Sequence, residues 1–341
     1  MRKFVAIFGA AMIVFCFALS IPAVSSAKSM TLTYSSFFPP THIQAQLAES
    51  WCQEVEKRTE GRIKVQFFAG QTLTKAKQTY DSVLDGIADI GTSAVAYTQG
   101  RFPVMAAVDL PFGYTSGVVA TNVANDLYNQ LKPKEFADTQ VMYFNAHGPG
   151  FIHTRKKPVR ALEDLKGLKI RSTGMSADVV KALGATPVPM PMPDSYQALQ
   201  KGVVDGSAYP TETNKGWKSG EVVDYATFAY SSAYTTVFFV VMNKDKWNAL
   251  DPQDQKIIEE INLEWAKKHG EAWDSSDEEG TEFFLAQEGN EIINLDDKES
   301  QRWADAVAPL IEGYQKQLDG QGLDGKTVIE IVRESLKKNA Q

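Results

Sequence analysis

Residue types that could carry out catalysis are present in this chain, but they do not lie at the spacings that build an active site. The four histidines are scattered, and none belongs to a His-Glu-x-x-His motif or another metal-ligand spacing. Cys52 lies within a helical stretch, where a packed cysteine is more common than a nucleophile. The sequence therefore gives no support for catalysis, and we expect neither a cofactor nor a metal.

The residue best suited to binding chemistry is Arg171. It ends a short apolar strand at 168–171 and is followed by the small residues Ser172, Thr173 and Gly174. The carboxyl ends of parallel strands face the crevice of an α/β fold, where a guanidinium can pair bidentately with a ligand carboxylate. A structural salt bridge to a nearby acid explains the residue equally well, so both interpretations stay open on the residues alone.

The elements that must position Arg171 alternate between strands and helices. Hydrophobic periodicity and caps predict strands at 30–36, 63–68, 87–92, 168–171 and 187–189, and helices at 42–57, 74–84, 176–183 and 195–201. Thr41 is the expected cap of the first helix. Such alternation is typical of an α/β fold with mostly parallel sheets. The pattern resumes near residue 150, which indicates a second lobe.

One helix–glycine–strand unit occurs in both lobes with the same spacing. The two copies are Tyr80…Gly86…Asp89 and Tyr196…Gly202…Asp205. In each copy a glycine that can adopt a left-handed turn separates a helix from a strand that begins with an acid. Chance similarity is the alternative, but the repeat favours duplication of the lobe.

A long helical region follows an apolar strand predicted at 237–242, which we expect to be central and buried. Asp251 and Pro252 are typical of a helix start, and the helical pattern runs to about residue 287. Because this helix is longer than one lobe, we expect it to brace both. We assign residues 28–148 and about 238–276 to the first lobe. Residues 149–237 and about 277–341, with C-terminal helices at 300–317 and 327–338, are assigned to the second.

The amino-terminal 27 residues have the anatomy of a secretory signal peptide. Arg2 and Lys3 precede an apolar run from Phe4 to Leu19, and small residues lead to Ala27. An uncleaved membrane anchor is the rival interpretation, but a spanning helix needs roughly 20 apolar residues and this run is shorter. We expect cleavage after Ala27 and a mature protein in the periplasm.

Charge and cysteine content exclude some partners. The formal net charge of the full chain is −7, and loss of Arg2 and Lys3 with the signal would make the mature surface more acidic. Such a surface does not attract nucleic acid or anionic lipid. Cys16 would leave with the signal, so Cys52 would have no partner for a disulfide. We expect a monomer that binds no nucleic acid.

Five blocks of sequence, in order and at matching spacing, resemble one known family. They lie at 37–42, 70–81, 162–171, 183–190 and 196–206. Together they resemble the solute-binding proteins of TRAP transporters, the tripartite ATP-independent periplasmic (DctP-like) family. The resemblance implies a two-lobe clamp of the periplasmic-binding-protein type, with a long helix that spans both lobes. It also implies that Arg171 binds the substrate carboxylate and that the partners are integral-membrane TRAP subunits driven by an ion gradient.

The chain departs from the sialic-acid-binding members of that family at two ligand-contacting positions. Phe151 stands where those relatives carry a second arginine, and Tyr209 stands where they carry an asparagine. Further aromatic residues that we expect at the cleft are Phe37, Phe38, Tyr97 and Trp217. We therefore expect an aromatic or bulky monocarboxylate, such as a 2-oxo or 2-hydroxy acid with an indole or phenyl group. Some of these rings are instead expected in the core.

Four polar residues complete the predicted site. Glu212 and Asn214 follow Tyr209 and could reach a hydroxyl, oxo or amino group of the ligand. Some relatives place a metal-binding acid here, but the surrounding residues do not supply a set of hard oxygen ligands. Gln71 and Lys75 lie in a first-lobe segment that faces the ligand in the family. Lys75 would then be a second cation, or a solvated lysine at a helix start.

Two other functions fit the same scaffold. One is an exported sensor that passes its ligand signal to a receptor, and the other is a periplasmic lyase or hydrolase. Genes for integral-membrane subunits beside this one would favour the transport function over a sensor. Recovery of unchanged ligand after long incubation would argue against an enzyme.

Overall fold

The computed structural model describes residues 29–339 and contains two mixed β-sheets that are covered by helices. The predicted signal peptide lies outside the described residues. Within residues 29–339, no helix combines the length and the apolar character needed to cross a membrane.

The strands of the two sheets alternate along the chain. They are β1 (Met30–Ser36), β2 (Ile63–Phe68), β3 (Ile90–Ala94), β4 (Thr139–Ala146), β5 (Gly150–Thr154), β6 (Lys169–Ser172), β7 (Thr186–Pro189), β8 (Gly206–Pro210), β9 (Tyr225–Phe228), β10 (Val237–Asn243) and β11 (Glu291–Asn294). The first sheet has the order β2-β1-β3-β10-β4 and the second has the order β11-β9-β5-β8-β6-β7. Thus β10 returns to the first sheet after β5 to β9, and β11 joins the second. We call the first sheet with its helices the first lobe, and the second sheet with its helices the second lobe.

The helices connect and cover these strands. They are α1 (Ile43–Arg58), α2 (Thr79–Leu84), α3 (Gly117–Leu131), α4 (Met175–Ala182), α5 (Ser195–Gln200), α6 (Thr213–Gly216), α7 (Lys244–Asn248), α8 (Pro252–Leu285), α9 (Asp297–Val307), α10 (Pro309–Gly320) and α11 (Gly325–Asn339). The α/β architecture expected from the sequence is confirmed.

Both sheets combine parallel and antiparallel pairs. β1 is parallel to β2 and β3, and β6 is parallel to β7 and β8, as the strand–helix alternation predicts. β10 is antiparallel to β3 and β4, and β5 is antiparallel to β8 and β9. These antiparallel pairs arise because the chain crosses from the first sheet to the second between β4 and β5 and returns between β9 and β10. The sheets are therefore mixed where the chain changes lobes.

Helix α8 has 34 residues and contacts both lobes. The Asp251 side chain accepts a hydrogen bond from the Gln253 amide and Pro252 occupies the first turn, so the predicted start is correct. At a rise of about 1.5 Å per residue the helix is about 50 Å long. Its Trp265 donates to the carbonyl of Leu47 in α1. Its far end reaches the second lobe, where Phe284 is fully buried.

The assignment of all residues after 277 to the second lobe is wrong. The end of α8, strand β11 and helix α9 do belong there, and α9 packs through Trp303 and Val307. The apolar faces of α10 and α11 join the core of the first lobe, where Leu318 and Val332 are fully buried beside Leu127 of α3. The helical pattern of a segment shows which of its faces is apolar. It does not show which other part of the protein covers that face.

Helix boundaries also differ from the prediction. The cap of α1 is His42 rather than Thr41, because Nδ1 of His42 accepts the Gln44 amide at 3.2 Å. The predicted helix at 300–317 is two helices, since Pro309 lacks the amide hydrogen needed inside a helix and starts α10 instead. α2 begins at Thr79, five residues later than predicted from position 74.

The repeated unit found in the sequence has the same geometry in both lobes. Gly86 and Gly202 have φ angles of 72° and 71°. Asp89 accepts the backbone amide of Thr33 in β1 at 2.8 Å, and Asp205 accepts that of Lys169 in β6 at 2.8 Å. Asp89 therefore joins the start of β3 to β1, and Asp205 joins the start of β8 to β6 in the same way.

Candidate ligand-binding site

A cavity lies between the two lobes at the end of β6. It has about 440 Å³ of empty volume, including the part open to solvent. Its wall contains residues from both sheets and from α8, and aromatic side chains make up much of it. The lining residues are Phe37, Phe38, Tyr97, His147, Arg171, Thr173, Ser176, Met192, Ala208, Tyr209, Pro210, Glu212, Thr213, Trp217, Tyr234, Thr236, Phe238 and Trp273.

Arg171 is the cation of this cavity. Only 3% of the residue is exposed, and its guanidinium is held by two backbone carbonyls, one directly after β7 and one within β8. Nε donates to the Met190 carbonyl at 3.0 Å, and Nη1 donates to the Ala208 carbonyl at 3.3 Å. Within residues 29–339 no acidic side chain forms an ion pair with Arg171. Arg171 lines the cavity, and no described residue accepts a hydrogen bond from its Nη2.

The salt-bridge interpretation left open by the sequence is thus not the arrangement in the structure. A buried charge without a counter-ion costs free energy, because the protein interior solvates it poorly. Two carbonyl oxygens offset part of that cost. An anion that enters the cavity would offset more, and a carboxylate matches the planar fork of the guanidinium.

Aromatic rings from both lobes form the apolar part of the wall. Phe37 and Phe38 follow β1, and their ring centroids are 4.1 Å apart. Phe38 lies 5.4 Å from Phe238 of β10, which in turn stacks on Trp273 of α8 at 5.4 Å. Trp217 stacks at 6.1 Å on Phe37 from the second lobe. The rings suit a flat apolar ligand body.

Glu212 lies on the cavity wall and joins the lobes. Its Oε1 is 2.6 Å from Nε2 of His42, and both side chains are almost fully buried. Because Nδ1 of His42 accepts the Gln44 amide, we place the ring proton on Nε2, although the angle of the contact with Glu212 is not that of a hydrogen bond. The Glu212 amide donates at 2.7 Å to Asp277 of α8. Burial raises the pKa of Asp277 to about 8.

His147 adds no positive charge to the cavity near neutral pH. Burial lowers its pKa to about 4, so the imidazole is neutral. Arg171 is then the only permanent cation among the described lining residues. The polar character of the cavity therefore depends on one cation, with the Glu212 carboxylate elsewhere on the wall.

Residues 34–317 match the family described as bacterial extracellular solute-binding protein, family 7 (DctP). The chain belongs to this family. The resemblance to TRAP solute-binding proteins that the sequence blocks carry is confirmed, and so is the two-lobe fold. Family members are transport receptors outside the cytoplasm that bind small carboxylates and work with integral-membrane subunits.

Solved structures of TRAP solute-binding proteins match over nearly the whole chain. One from Desulfovibrio salexigens is 36% identical, with a TM-score of 0.80 over 91% of this chain and 96% of that chain. One from Rhodoferax ferrireducens, with copurified benzoate, is 30% identical, with a TM-score of 0.87 over 92% and 99%. One from Bordetella bronchiseptica, with bound (R)- and (S)-mandelate, is 31% identical, with a TM-score of 0.84 over 91% and 99%.

In this solute-binding protein, seven of the predicted site residues line the cavity. They are Phe37, Phe38, Tyr97, Arg171, Tyr209, Glu212 and Trp217. The Tyr209 ring stacks on His153 at 3.9 Å and its hydroxyl donates to Asn214 at 3.2 Å, so this tyrosine is part of the wall and also of the core.

Four predicted site residues lie outside the cavity. Phe151 stacks on Phe228 at 4.4 Å and lines a separate depression beside α8. Asn214 is fully buried behind Tyr209. Gln71 binds the Ala76 amide of its own loop, and Lys75 is exposed on that loop. Position in a family motif did not determine whether these side chains reach the cavity, because each is already engaged locally or faces solvent.

Several lining residues were missed by the sequence analysis. Phe238 lies in a strand that is apolar on both faces, so its pattern gave no sign of which face meets the cavity. From the sequence, Trp273 could not be distinguished from the other apolar residues of the long helix. His147 and Tyr234 lie where the chain crosses between lobes. Only the relative position of the two sheets brings them to one wall.

Residues 320–327 have the Gly-x4-Gly-Lys-Thr spacing of phosphate-binding loops, but the structure gives them another role. A phosphate-binding loop follows a β-strand, whereas this segment joins α10 to α11. Asp324 accepts both the amide and the hydroxyl of Thr327. A carboxylate therefore already occupies the helix start where a phosphate would bind.

Proposed function

We propose that this solute-binding protein captures a small aromatic monocarboxylate and delivers it to TRAP membrane subunits. The observation that carries the proposal is a buried Arg171 that has no acidic partner among the described residues and opens onto a cavity walled by aromatic rings. The ligand carboxylate would pair with Nη1 and Nη2 of Arg171, while its ring would lie against Phe37, Phe38 and Trp273.

The charges on the wall favour one carboxylate over two. Arg171 supplies the only permanent positive charge among the described lining residues, and His147 is neutral near pH 7 because burial lowers its pKa to about 4. A second ligand carboxylate would face the Glu212 carboxylate or an apolar ring. Both contacts cost free energy, since neither replaces the water that a carboxylate loses.

The ligands of similar proteins support the same class. The protein from Rhodoferax ferrireducens holds benzoate, and the one from Bordetella bronchiseptica holds mandelate. Mandelate is a 2-hydroxy acid with a phenyl group, which is one of the ligand types expected from the sequence. We favour a phenyl-bearing acid over an indole-bearing acid on this ground.

Delivery follows from closure of the lobes around the ligand. A ligand that contacts both lobes stabilises the closed form in proportion to its preference for that form. The closed form would be presented to the membrane subunits in the periplasm after removal of the signal peptide. No side chain on the cavity wall needs to change chemically in this cycle.

A ligand screen followed by one substitution tests the proposal. Thermal unfolding should show stabilisation by benzoate and mandelate, weaker stabilisation by indole-3-acetate, and none by succinate or galacturonate. A ligand at one hundred times its dissociation constant adds about 2.7 kcal/mol to the stability. A response to succinate or galacturonate alone would contradict the proposed ligand class.

Arg171→Ala should weaken binding of the best ligand at least 100-fold by calorimetry, since loss of one partner of a buried charge pair costs about 2–5 kcal/mol. Arg160→Ala is the matched control, because Arg160 pairs with Glu291 on the surface of the same lobe. Equal affinity in Arg171→Ala and the control would contradict the role given to Arg171.

A further inference from the structure

The two lobes touch at the mouth of the cavity through a small set of contacts. On the first lobe these are made by Ala96 and Tyr97, which follow β3. The Tyr97 hydroxyl accepts the Met192 amide of the second lobe at 2.9 Å. The Thr173 hydroxyl donates to the Ala96 carbonyl at 3.4 Å. We call this set, with Gly174, the mouth contact.

Gly174 brings the lobes closer at this point than any other residue type could. A β-carbon placed on Gly174 would lie 2.7 Å from Cβ and 3.2 Å from Cα of Ala96, and its φ angle is 50°. Both distances are shorter than ordinary contacts between carbon atoms. The mouth contact is therefore a feature of the closed arrangement of the lobes.

The mouth contact is connected to the ligand cation through three residues. Met190 accepts Nε of Arg171 at 3.0 Å, and Met192, two residues further on, donates its amide to Tyr97. Tyr97 and Arg171 also line the same cavity. Burial raises the pKa of Tyr97, while the positive charge of Arg171 acts in the opposite direction, so the two groups are electrostatic neighbours.

The hydroxyl hydrogen of Tyr97 has no acceptor among the described residues. The oxygen accepts the Met192 amide, and no hydrogen bond in the described part of the chain uses Tyr97 as donor. A phenol can accept and donate at the same time. One donor from the first lobe is thus free to point at a group held by Arg171 of the second lobe.

We propose that Tyr97 is a cross-lobe latch, whose hydroxyl accepts the Met192 amide and donates its hydrogen to the ligand carboxylate on Arg171. This inference rests on the proposed function, because it requires a carboxylate on Arg171. Arg171 can bind the carboxylate in the open protein, whereas Tyr97 reaches it only after closure. The carboxylate then joins the two lobes, so ligand binding favours the closed form.

A latch that forms after binding acts on dissociation. The ligand leaves only when the mouth opens, so loss of the latch should raise the dissociation rate and leave the association rate nearly unchanged. A tyrosine that merely contributes a ring to the wall predicts no such effect on removal of its hydroxyl.

Tyr97→Phe tests the latch, since it keeps the ring and removes the hydroxyl. With benzoate as the probe, stopped-flow tryptophan fluorescence should show dissociation about tenfold faster and association within about twofold, as expected for one hydrogen bond to a charged group. Tyr128→Phe is the control, because Tyr128 lies on α3 away from the cavity. Wild-type dissociation in Tyr97→Phe, with tight benzoate binding, would overturn the latch and leave the proposed function intact.

A second measurement reports the mouth contact directly. Met192 lies between Pro191 and Pro193, which have no amide hydrogen, so hydrogen exchange in this stretch reports Met192 alone. In protein saturated with benzoate, where the lobes are closed, the Met192 amide should exchange about tenfold faster in Tyr97→Phe than in wild type or Tyr128→Phe, because one protecting hydrogen bond is lost. Equal exchange rates would overturn the latch. Failure of wild type to bind benzoate would instead count against the proposed ligand.

Discussion

Two of the regions where the lobes meet differ in what holds them together. At the crossing strands, the amide of Gly150 donates to the carbonyl of Tyr234 at 2.8 Å, and α8 packs behind them with Asp277 bound to the Glu212 amide. At the mouth, one tyrosine hydroxyl and one threonine hydroxyl make the hydrogen bonds. We call the first region, residues 147–150 and 234–236 with the facing part of α8, the hinge side.

This difference separates contacts that maintain the fold from contacts that form on closure. Hinge-side contacts involve backbone groups of continuous strands and of one long helix, so we expect them to persist when the lobes move. Mouth contacts join segments that are distant along the chain. When these contacts are lost, no pairing between strands is broken. We expect hinge-side substitutions to change the free energy of unfolding and mouth substitutions to change ligand kinetics.

At a fixed pH, the largest effect is expected at Gly280, where α8 meets the second lobe. A β-carbon at Gly280 would lie 2.1 Å from the Thr211 carbonyl oxygen and 2.8 Å from Cα of Glu212. Because these are backbone atoms, Gly280→Ala should lower the free energy of unfolding by about 2 kcal/mol in urea titrations followed by circular dichroism.

Gly313→Ala is the matched control for that substitution. Gly313 lies within α10 and has no atom within 4 Å of a placed β-carbon, so alanine should stabilise the helix by about 0.5–1 kcal/mol. If both variants gain stability, α8 is not packed tightly on the second lobe and the contrast between the two regions is lost.

A smaller effect, seen in binding, is expected at the mouth. Gly174→Ala places a methyl group 2.7 Å from Cβ of Ala96, which should hold the lobes apart and weaken binding of benzoate about tenfold by calorimetry. Gly184→Ala separates this effect from backbone strain. Gly184 also has a positive φ angle, 97°, but a β-carbon there meets nothing within 4 Å. Equal affinities of the two variants would show that close approach at the mouth is not needed.

The last effect is a pH dependence on the hinge side. Burial raises the pKa of Asp277 from 3.8 to about 8, so the folded protein favours the protonated carboxyl more than the unfolded chain does. This group therefore costs stability progressively as the pH rises from about 4 to about 8.

Asp277→Asn should remove that cost, so the stability of the variant relative to wild type should rise by about 3–4 kcal/mol between pH 5 and pH 8. The comparison is made between variant and wild type because buried histidines also titrate: burial lowers the pKa of His153 to about 3. A constant difference between the two proteins from pH 5 to pH 8 would show that Asp277 is ionised throughout.

Local sequence was sufficient for part of the elements and for the main cation of the site. Hydrophobic patterns located β1, β2, β6, β7 and β10, and Asp251 with Pro252 located the start of α8, whereas β4, β5, β9, β11 and α3 were not predicted. Arg171 was found because it ends an apolar strand and lies within a family motif. These features depend on residues a few positions apart, where side-chain period, caps and glycines act directly on the backbone.

Tertiary structure alone decided which rings form the wall and which surfaces the last helices cover. Phe151 was expected at the cavity and stacks on Phe228 instead, while Phe238 and Trp273 were not expected there and line it. Likewise α11 packs on α3, some 200 residues earlier in the chain. Such contacts depend on how two sheets and a 34-residue helix are placed in space, and a side chain's local pattern does not contain that information.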